Sequence, residues 1–139
     1  LMVSTICIAM IEQKPKSGTP EYRDWYYKNN RAKAKSHKKA NCARNKKYVT
    51  EYRKSNKCAK CKEDRWYLLE FHHIDPSTKF RNICDMADQA YAISRVEEEI
   101  AKCALVCRNC HSEFHHLERN NLVSTFTQYL TEKYTPEYE

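Results

Sequence analysis

The stretch LEFHHIDP, residues 69–76, places two adjacent histidines at the end of an apolar run and decides how this chain is interpreted. The longer run WYLLEFHHI, residues 66–74, is aromatic and aliphatic enough to predict a β-strand. Successive side chains of a strand point to opposite faces of the sheet. We therefore expect His72 and His73 to lie on different sides of this strand.

A second stretch, CRNCHSEFHH at residues 107–116, carries three more histidines, so the two stretches hold five of the six in the chain. We expect this stretch to be helical from about Asn109, which puts His111 and His115 on one helix face. A lone histidine is most often structural. Five histidines in two clusters point instead to a shared site.

The segments around these stretches have weaker patterns. FRNICDM, residues 80–86, is typical of a second short strand. ISRVEEEIAKCALVC, residues 93–107, has apolar side chains at a helical period and predicts one helix. Residues 122–139 predict a short terminal helix followed by a frayed end.

Each histidine stretch is accompanied by a Cys-x-x-Cys pair, and two such pairs supply four thiolates. Four thiolates bind zinc tetrahedrally and leave no open position, so the predicted site is structural. The 45 residues between the pairs imply an inserted segment that contains the adjacent histidines. A set of unpaired buried thiols is the alternative, and a finger with two Cys and two His ligands is excluded by the spacing. The predicted zinc ligands are Cys58, Cys61, Cys107 and Cys110.

The zinc site has a consequence for the histidines. If it brings the end of the strand and the start of the helix together, one of His72 and His73 joins His111 on a second, divalent metal ion. The other strand histidine is then left free. Such an arrangement suits phosphodiester hydrolysis, because the cation stabilises charge on the phosphate and a neutral imidazole takes a proton from the attacking water.

Positive charge is concentrated ahead of the first cysteine pair. Residues 21–57 hold thirteen Lys or Arg and three acidic residues, about +10, whereas the whole chain has a net charge of +7. This composition predicts a basic helix, or two helices with a break near residues 36–41. Such a segment suits the backbone or groove of double-stranded DNA, and a merely solvated helix is the alternative. The residues expected to contact DNA here are Lys38, Lys39, Arg44, Lys46 and Lys47.

Composition also bears on other classes of protein. A single glycine disfavours the Gly-rich loops that bind nucleotide phosphates. No apolar run approaches the roughly 20 residues of a membrane span, so no membrane partner is expected. Paired Cys-x-x-Cys motifs in a basic chain favour zinc in the cytoplasm over disulfides. In the apolar stretch 1–11, either residues 1–9 precede a functional start at Met10, or the stretch packs on the domain as a strand or short helix.

The ordered pattern CAKC … LLEFHHIDPSTKFRNI … EEEIAKCALVCRNCHSEFHH resembles the HNH endonucleases, especially small phage and bacterial members with a four-cysteine zinc scaffold. The resemblance covers about residues 56–116, under half of the chain. It implies an α+β fold in which a small ββα-metal core is stapled by the zinc site and preceded by the basic helical segment. The expected organisation is an N-terminal extension at 1–20, the basic segment at 21–57, the nuclease core at 58–118 and a C-terminal helix and tail at 119–139.

The resemblance also implies roles for individual residues. His73 takes the place of the general base, and His72 takes the place of the family's metal-binding Asp. His111 is the second metal ligand, Asn82 is the best match to the Asn that orients the loop near the base, and His115 offers an extra ligand or a phosphate contact. Because an imidazole replaces a carboxylate, we expect the site to favour Mn²⁺, Co²⁺, Ni²⁺ or Zn²⁺ over Mg²⁺.

The implied function is a metal-dependent DNA endonuclease that leaves 5′-phosphate and 3′-hydroxyl ends, in the cytoplasm of a bacterial or phage-infected cell. It would need a structural Zn²⁺ and a catalytic Mn²⁺, Mg²⁺, Ni²⁺ or Zn²⁺. Arg81 and Arg108 are the first choices to hold the phosphate. A monomer would nick, and a homodimer could cut both strands. The alternatives are a non-catalytic zinc-containing nucleic-acid-binding protein and a nuclease acting on structured RNA.

Overall fold

The computed structural model describes residues 14–133 and has mixed α and β structure, as the sequence predicts. The chain divides into two compact units within its first helix, one ending at His37 and the other beginning at Lys38. The expectations for residues 1–11 lie outside the described residues. The elements are α1 (Pro20–Lys54), β1 (Leu69–His73), α2 (Ile83–Asp88), α3 (Ile93–Ile100), β2 (Cys103–Cys107), α4 (Arg108–Arg119) and α5 (Phe126–Thr131), with 3-10 turns at Trp66–Leu68 and Pro76–Thr78.

The basic segment forms one uninterrupted helix, so the alternative with a break near residues 36–41 is wrong. At its start, the Thr19 hydroxyl oxygen accepts the backbone N–H of Tyr22 at 3.2 Å, and Pro20 supplies the φ angle that suits the first helical position. Beyond Pro20 the segment has neither Gly nor Pro and is rich in residues of high helix propensity. Among the described helices, none is both long and apolar enough to cross a bilayer.

β1 and β2 form a two-stranded antiparallel sheet in which His72 lies opposite Ala104 and His73 opposite Cys103. The prediction of a single helix over residues 93–107 is therefore wrong in its second half. That helix, α3, ends at Ile100, and the apolar run CALVC pairs with β1. A short apolar run satisfies a helical and an extended pattern equally well, and here the partner strand decides between them.

The run FRNICDM is also not the predicted strand, because most of it belongs to helix α2. Ile83, Met86 and Ala87 are buried and have the i, i+3, i+4 spacing of a helix face. They pack with Val96 and Ile100 of α3 in one apolar cluster. The burial of this face outweighs the weak local preference for an extended chain.

Two apolar clusters hold the second unit together, and Phe71 of β1 packs against both. The first joins the cysteine pairs to α4 and α5 and includes the fully buried Tyr129. The second joins α2 and α3 to the last turns of α1, where Val49 is buried. Buried Asn45 of α1 adds a hydrogen bond from its side-chain amide to the Tyr91 carbonyl at 2.8 Å. The sheet therefore lies between two sets of packed elements. One set is the cysteine pairs with α4 and α5, and the other is α2 and α3 with the last turns of α1.

Candidate metal centres and the histidine-lined cleft

The four cysteines predicted as zinc ligands come together. Their Sγ atoms all lie within 4.8 Å of one another, and the Sγ atoms of Cys61 and Cys107 are 3.6 Å apart. Zinc–sulfur bonds of about 2.3 Å in a tetrahedron put the sulfurs about 3.8 Å apart. The thiols are free, not joined in disulfides. This donor set and spacing fit a structural zinc ion.

The local fold explains the convergence. In each Cys-x-x-Cys pair, the backbone N–H of the second cysteine donates to the Sγ of the first at 3.5 Å. The Ala59 N–H donates to the Leu105 carbonyl at 2.8 Å, which fixes the first pair against β2. Cys107 is both the last residue of β2 and the N-cap of α4. The second pair therefore sits at the junction of strand and helix.

The electrostatics of the cluster are compatible with a bound cation. Burial raises the pKa of Cys58, but backbone N–H groups at Cys61, Cys107 and Lys60 outweigh it and lower the pKa to about 7. Burial and the neighbouring thiols instead raise the pKa of Cys110. Four thiolates at this separation repel one another unless a metal ion neutralises them.

Three histidine nitrogens converge at a second place. Nδ1 of His72 lies 3.0 Å from Nε2 of His111, and Nε2 of His115 lies 3.1 Å from that same Nε2 atom. Nitrogens that share one ion at about 2.1 Å are roughly 3 Å apart or slightly more. His115 is thus a candidate metal ligand together with His72 and His111. The sequence alone predicted that His115 is either a metal ligand or a phosphate contact.

Two carboxylates set the tautomers of the helix histidines. Glu70 accepts from Nδ1 of His111 at 2.8 Å, and Glu118 lies 3.2 Å from Nδ1 of His115. In a neutral ring, each pairing puts the proton on Nδ1 and leaves the lone pair of Nε2 available to a metal ion. Histidine ligands of metals usually donate their other ring N–H to a carboxylate, so the residues present fit a metal site.

His72 is held by apolar packing. Its ring lies 4.3 Å from the ring centroid of Phe126 and 5.0 Å from that of Phe114. Burial, together with the positive charge that His111 and His115 would carry, lowers the pKa of His72 to about 4. The ring is therefore neutral near pH 7, which is the form that binds metal.

His73 faces the other side of β1, as predicted, and lies outside the cluster of three histidines, where a carboxylate binds it. Its Nε2 lies 2.7 Å from Oε1 of Glu99. The same Oε1 accepts the Phe80 N–H at 2.8 Å, and Oε2 of Glu99 accepts a hydrogen bond from the ammonium of Lys102 at 2.8 Å. Burial raises the pKa of Glu99, but these donors outweigh it and lower the pKa to about 2. An ionised Glu99 keeps the proton on Nε2 of His73, so Nδ1 is the basic atom of the ring.

A cleft of about 720 Å³ joins the strand histidines to the helix histidines. Its lining includes all four of His72, His73, His111 and His115. The same lining contains Arg108 and Asn82 from the predicted set and, in addition, Arg53, Tyr67 and Glu70. The structure therefore brings the predicted metal ligands and the predicted base to one open surface of the second unit.

Asn82 lines this cleft, but its side-chain amide donates to Asp85 at 3.0 Å at the start of α2. The group that contacts the His73 ring is instead the carboxylate of Glu99, which also holds the loop through the amides of Phe80 and Arg81. Glu99 therefore contacts both the His73 ring and the loop that the resemblance associates with Asn82.

The two arginines predicted to hold phosphate are both engaged within the chain. Arg81 donates to the Gln89 side chain at 2.6 Å and lies over the Tyr91 ring, and it is not among the residues that line the cleft. Arg108 lines the cleft and lies 3.2 Å from Glu70, the carboxylate that also binds His111.

The basic residues of α1 fall into two groups. Lys46 pairs with Asp88 at 2.7 Å, and Arg44 donates to the Tyr91 carbonyl at 3.5 Å as well as to the neighbouring Asn45 side chain. Both therefore tie α1 to neighbouring parts of the second unit. The other predicted DNA contacts on this helix have exposed side chains; they are Lys38, Lys39 and Lys47.

Sequence reasoning missed four residues of the site. Two had a local signal: Glu70 precedes His72 by two residues and so shares its strand face, and Glu118 follows His115 at helical spacing. Glu99 and Arg53 had none, because Glu99 reaches His73 and Arg53 reaches the cleft from separate helices.

The chain matches no protein-family model, no curated protein and no solved structure.

Proposed function

We propose that this protein is a metal-dependent endonuclease that hydrolyses DNA phosphodiester bonds. One observation carries the proposal: three imidazole nitrogens, two with tautomers set by carboxylates, converge beside a fourth histidine that a buried carboxylate orients. A zinc-stabilised binding module would need the cysteines and the basic helix. It would not need this second set of donors.

The resemblance to the HNH family supports the same proposal. In that interpretation β1, β2 and α4 are the ββα unit, with His72 on the strand and His111 and His115 on the helix as ligands of the catalytic ion. The four-cysteine zinc site lies where β2 meets α4 and fixes the angle between strand and helix. A preorganised angle matters because metal ligands misplaced by about 1 Å lose much of their catalytic effect.

The chemistry of the proposed reaction assigns one step to His73. Its Nδ1 takes a proton from water while the water oxygen forms a bond to phosphorus. The bond from phosphorus to the 3′ oxygen breaks, and that oxygen takes up a proton from solvent, which leaves a 3′-hydroxyl and a 5′-phosphate. A divalent cation held by the three imidazoles would stabilise the charge on the phosphate and the leaving oxygen. The ionised Glu99 stabilises the imidazolium that forms.

The substrate follows from charge and shape. The cleft is open and its lining includes the cations Arg53, Lys79 and Arg108, and α1 carries exposed lysines within the second unit. Contacts of this kind bind the phosphate backbone without reading sequence and weaken steeply with salt. Duplex DNA is the proposed substrate.

Plasmid nicking tests the proposal. Purified wild type and His73→Ala are compared with Mg²⁺, Mn²⁺, Ni²⁺ and added chelator, after zinc content has been matched between the two proteins. The proposal expects nicking that needs a divalent ion and falls by about 100-fold or more in the variant. DNA binding by both proteins without nicking under any metal would instead support the non-catalytic zinc-binding module.

A further inference from the structure

Arg53, in the last turn of α1, is a cation in the cleft without a carboxylate partner among the described residues. Its guanidinium donates from Nη2 to the sulfur of Cys84 at 3.5 Å, which is a weak acceptor. Its Nε is buried and has no hydrogen-bond partner in residues 14–133. A buried donor that stays unsatisfied is costly to the folded state, which indicates that another group satisfies it.

The orientation of Arg53 is fixed by an aromatic ring. Its guanidinium carbon lies 5.2 Å from the ring centroid of Phe71, and Tyr52 packs against that ring at 5.7 Å. A guanidinium stacked on a ring keeps its N–H groups directed outward in its own plane. Phe71 precedes His73 by two residues on β1, so the stack lies on the strand face that carries His73.

Lys79 also lines the cleft and is exposed, but its ammonium lacks the planar fork of a guanidinium. Three other cations near the site have partners within the chain. Arg108 contacts Glu70, Arg81 donates to Gln89, and Lys102 donates to Glu99. Arg53 is thus the cleft guanidinium whose hydrogen-bond acceptor among residues 14–133 is a weak sulfur, and a tetrahedral phosphate anion is a ligand that a guanidinium binds bidentately.

We propose that Arg53 binds the backbone phosphate that is cut, an inference that rests on the proposed function. From this position it holds the phosphorus between the three imidazoles and Nδ1 of His73, and it offsets negative charge that develops on the phosphate oxygens. The residue comes from the same helix as the exposed DNA-facing lysines, so one element both attracts the duplex and fixes the reacting group.

Single-turnover nicking and duplex binding test this role. The variants are Arg53→Gln, Arg53→Lys and, as a matched control, Arg95→Gln, which removes an arginine from α3 outside the cleft lining. Thermal unfolding and zinc content establish that each variant is folded. We expect Arg53→Gln to lower the single-turnover rate by about 100-fold while duplex affinity falls by less than about tenfold. Arg53→Lys should restore only part of the rate, because an ammonium keeps the charge and loses the fork.

An independent readout follows the Nε–H of Arg53 itself. Its proton–nitrogen NMR signal is assigned by its loss in Arg53→Lys, and we expect a short DNA duplex to shift it. A signal that does not move, or nicking by Arg53→Gln that equals nicking by Arg95→Gln, would overturn the inference. If wild type fails to nick but the signal shifts, the proposed nuclease function fails together with the cut-phosphate role, and Arg53 is a DNA-binding residue only.

Discussion

Nε2 of His73 lies 2.7 Å from Oε1 of Glu99, and the two side chains are 8% and 2% exposed. A buried carboxylate next to an imidazole sets the tautomer, limits ring rotation and stabilises the protonated ring. The same logic governs the acid that orients the histidine of hydrolytic triads. Here it assigns the basic atom of the proposed general base to Nδ1.

Replacement of the carboxylate should therefore affect the chemical step. We expect Glu99→Gln to reduce the single-turnover nicking rate by about tenfold or more, with little change in DNA affinity, because the amide lacks the charge that stabilises the imidazolium. Nitrogen NMR of the ring should show the Nε2–H form in wild type and a mixture in the variant. Glu98→Gln, which alters an exposed carboxylate of the same helix, serves as the control. Equal rates for the two variants would show that Glu99 has only a structural role.

The same carboxylate predicts a pH dependence of stability. The pKa of Glu99 is about 2 in the folded protein and near 4.5 when unperturbed. A depressed folded pKa adds stability above the unfolded pKa, on the order of 3 kcal/mol, and that stability is lost as pH falls from about 4.5 towards 2. The free energy of unfolding should fall more steeply over this range in wild type than in Glu99→Gln. Parallel curves for the two proteins would contradict the predicted ionisation.

Metal preference follows from the ligand atoms. Three imidazoles supply neutral nitrogen donors, which favour Mn²⁺, Co²⁺, Ni²⁺ or Zn²⁺ over Mg²⁺. We expect His72→Asp, which adds an anionic oxygen ligand, to raise nicking with Mg²⁺ relative to nicking with Ni²⁺. The ratio of the two rates in each protein is the measurement. The same ratio in both, or equal wild-type activity with Mg²⁺ and Mn²⁺, would count against this ligand set.

Zinc binding by the cysteine cluster should stabilise the folded protein. We expect Cys61→Ser to bind zinc far more weakly and to lower the unfolding temperature by more than about 10 °C, because binding of a structural zinc contributes directly to folding. Co²⁺ substitution should give an intense thiolate charge-transfer band in wild type and a weaker one in the variant. The control is Cys42→Ser, whose thiol donates to the Asp88 carbonyl and lies outside the cluster. Identical zinc content in all three proteins would refute the assignment.

Patterns among residues close in the sequence were sufficient to predict several features of the structure. The aromatic and aliphatic run at residues 66–74 predicted a strand, of which residues 69–73 form β1, and the two-residue period of a strand predicted the opposite orientations of His72 and His73. Helical spacing predicted that His111 and His115 share a face. The Cys-x-x-Cys spacing predicted the four-cysteine cluster. These features depend on residues close in the chain, and for the cysteines on a ligand geometry that few other arrangements satisfy.

Tertiary structure decided the rest. The chain from Cys103 to Cys107 became a strand because β1 offers a partner, and Ile83 to Asp88 became a helix because its apolar face is buried against α3. Glu99 reaches His73, and Arg53 reaches the cleft, from helices far away along the chain. A sequence pattern records only local periodicity and composition. Contacts between distant elements arise when burial of apolar faces brings them together, and they determine which polar groups complete the site.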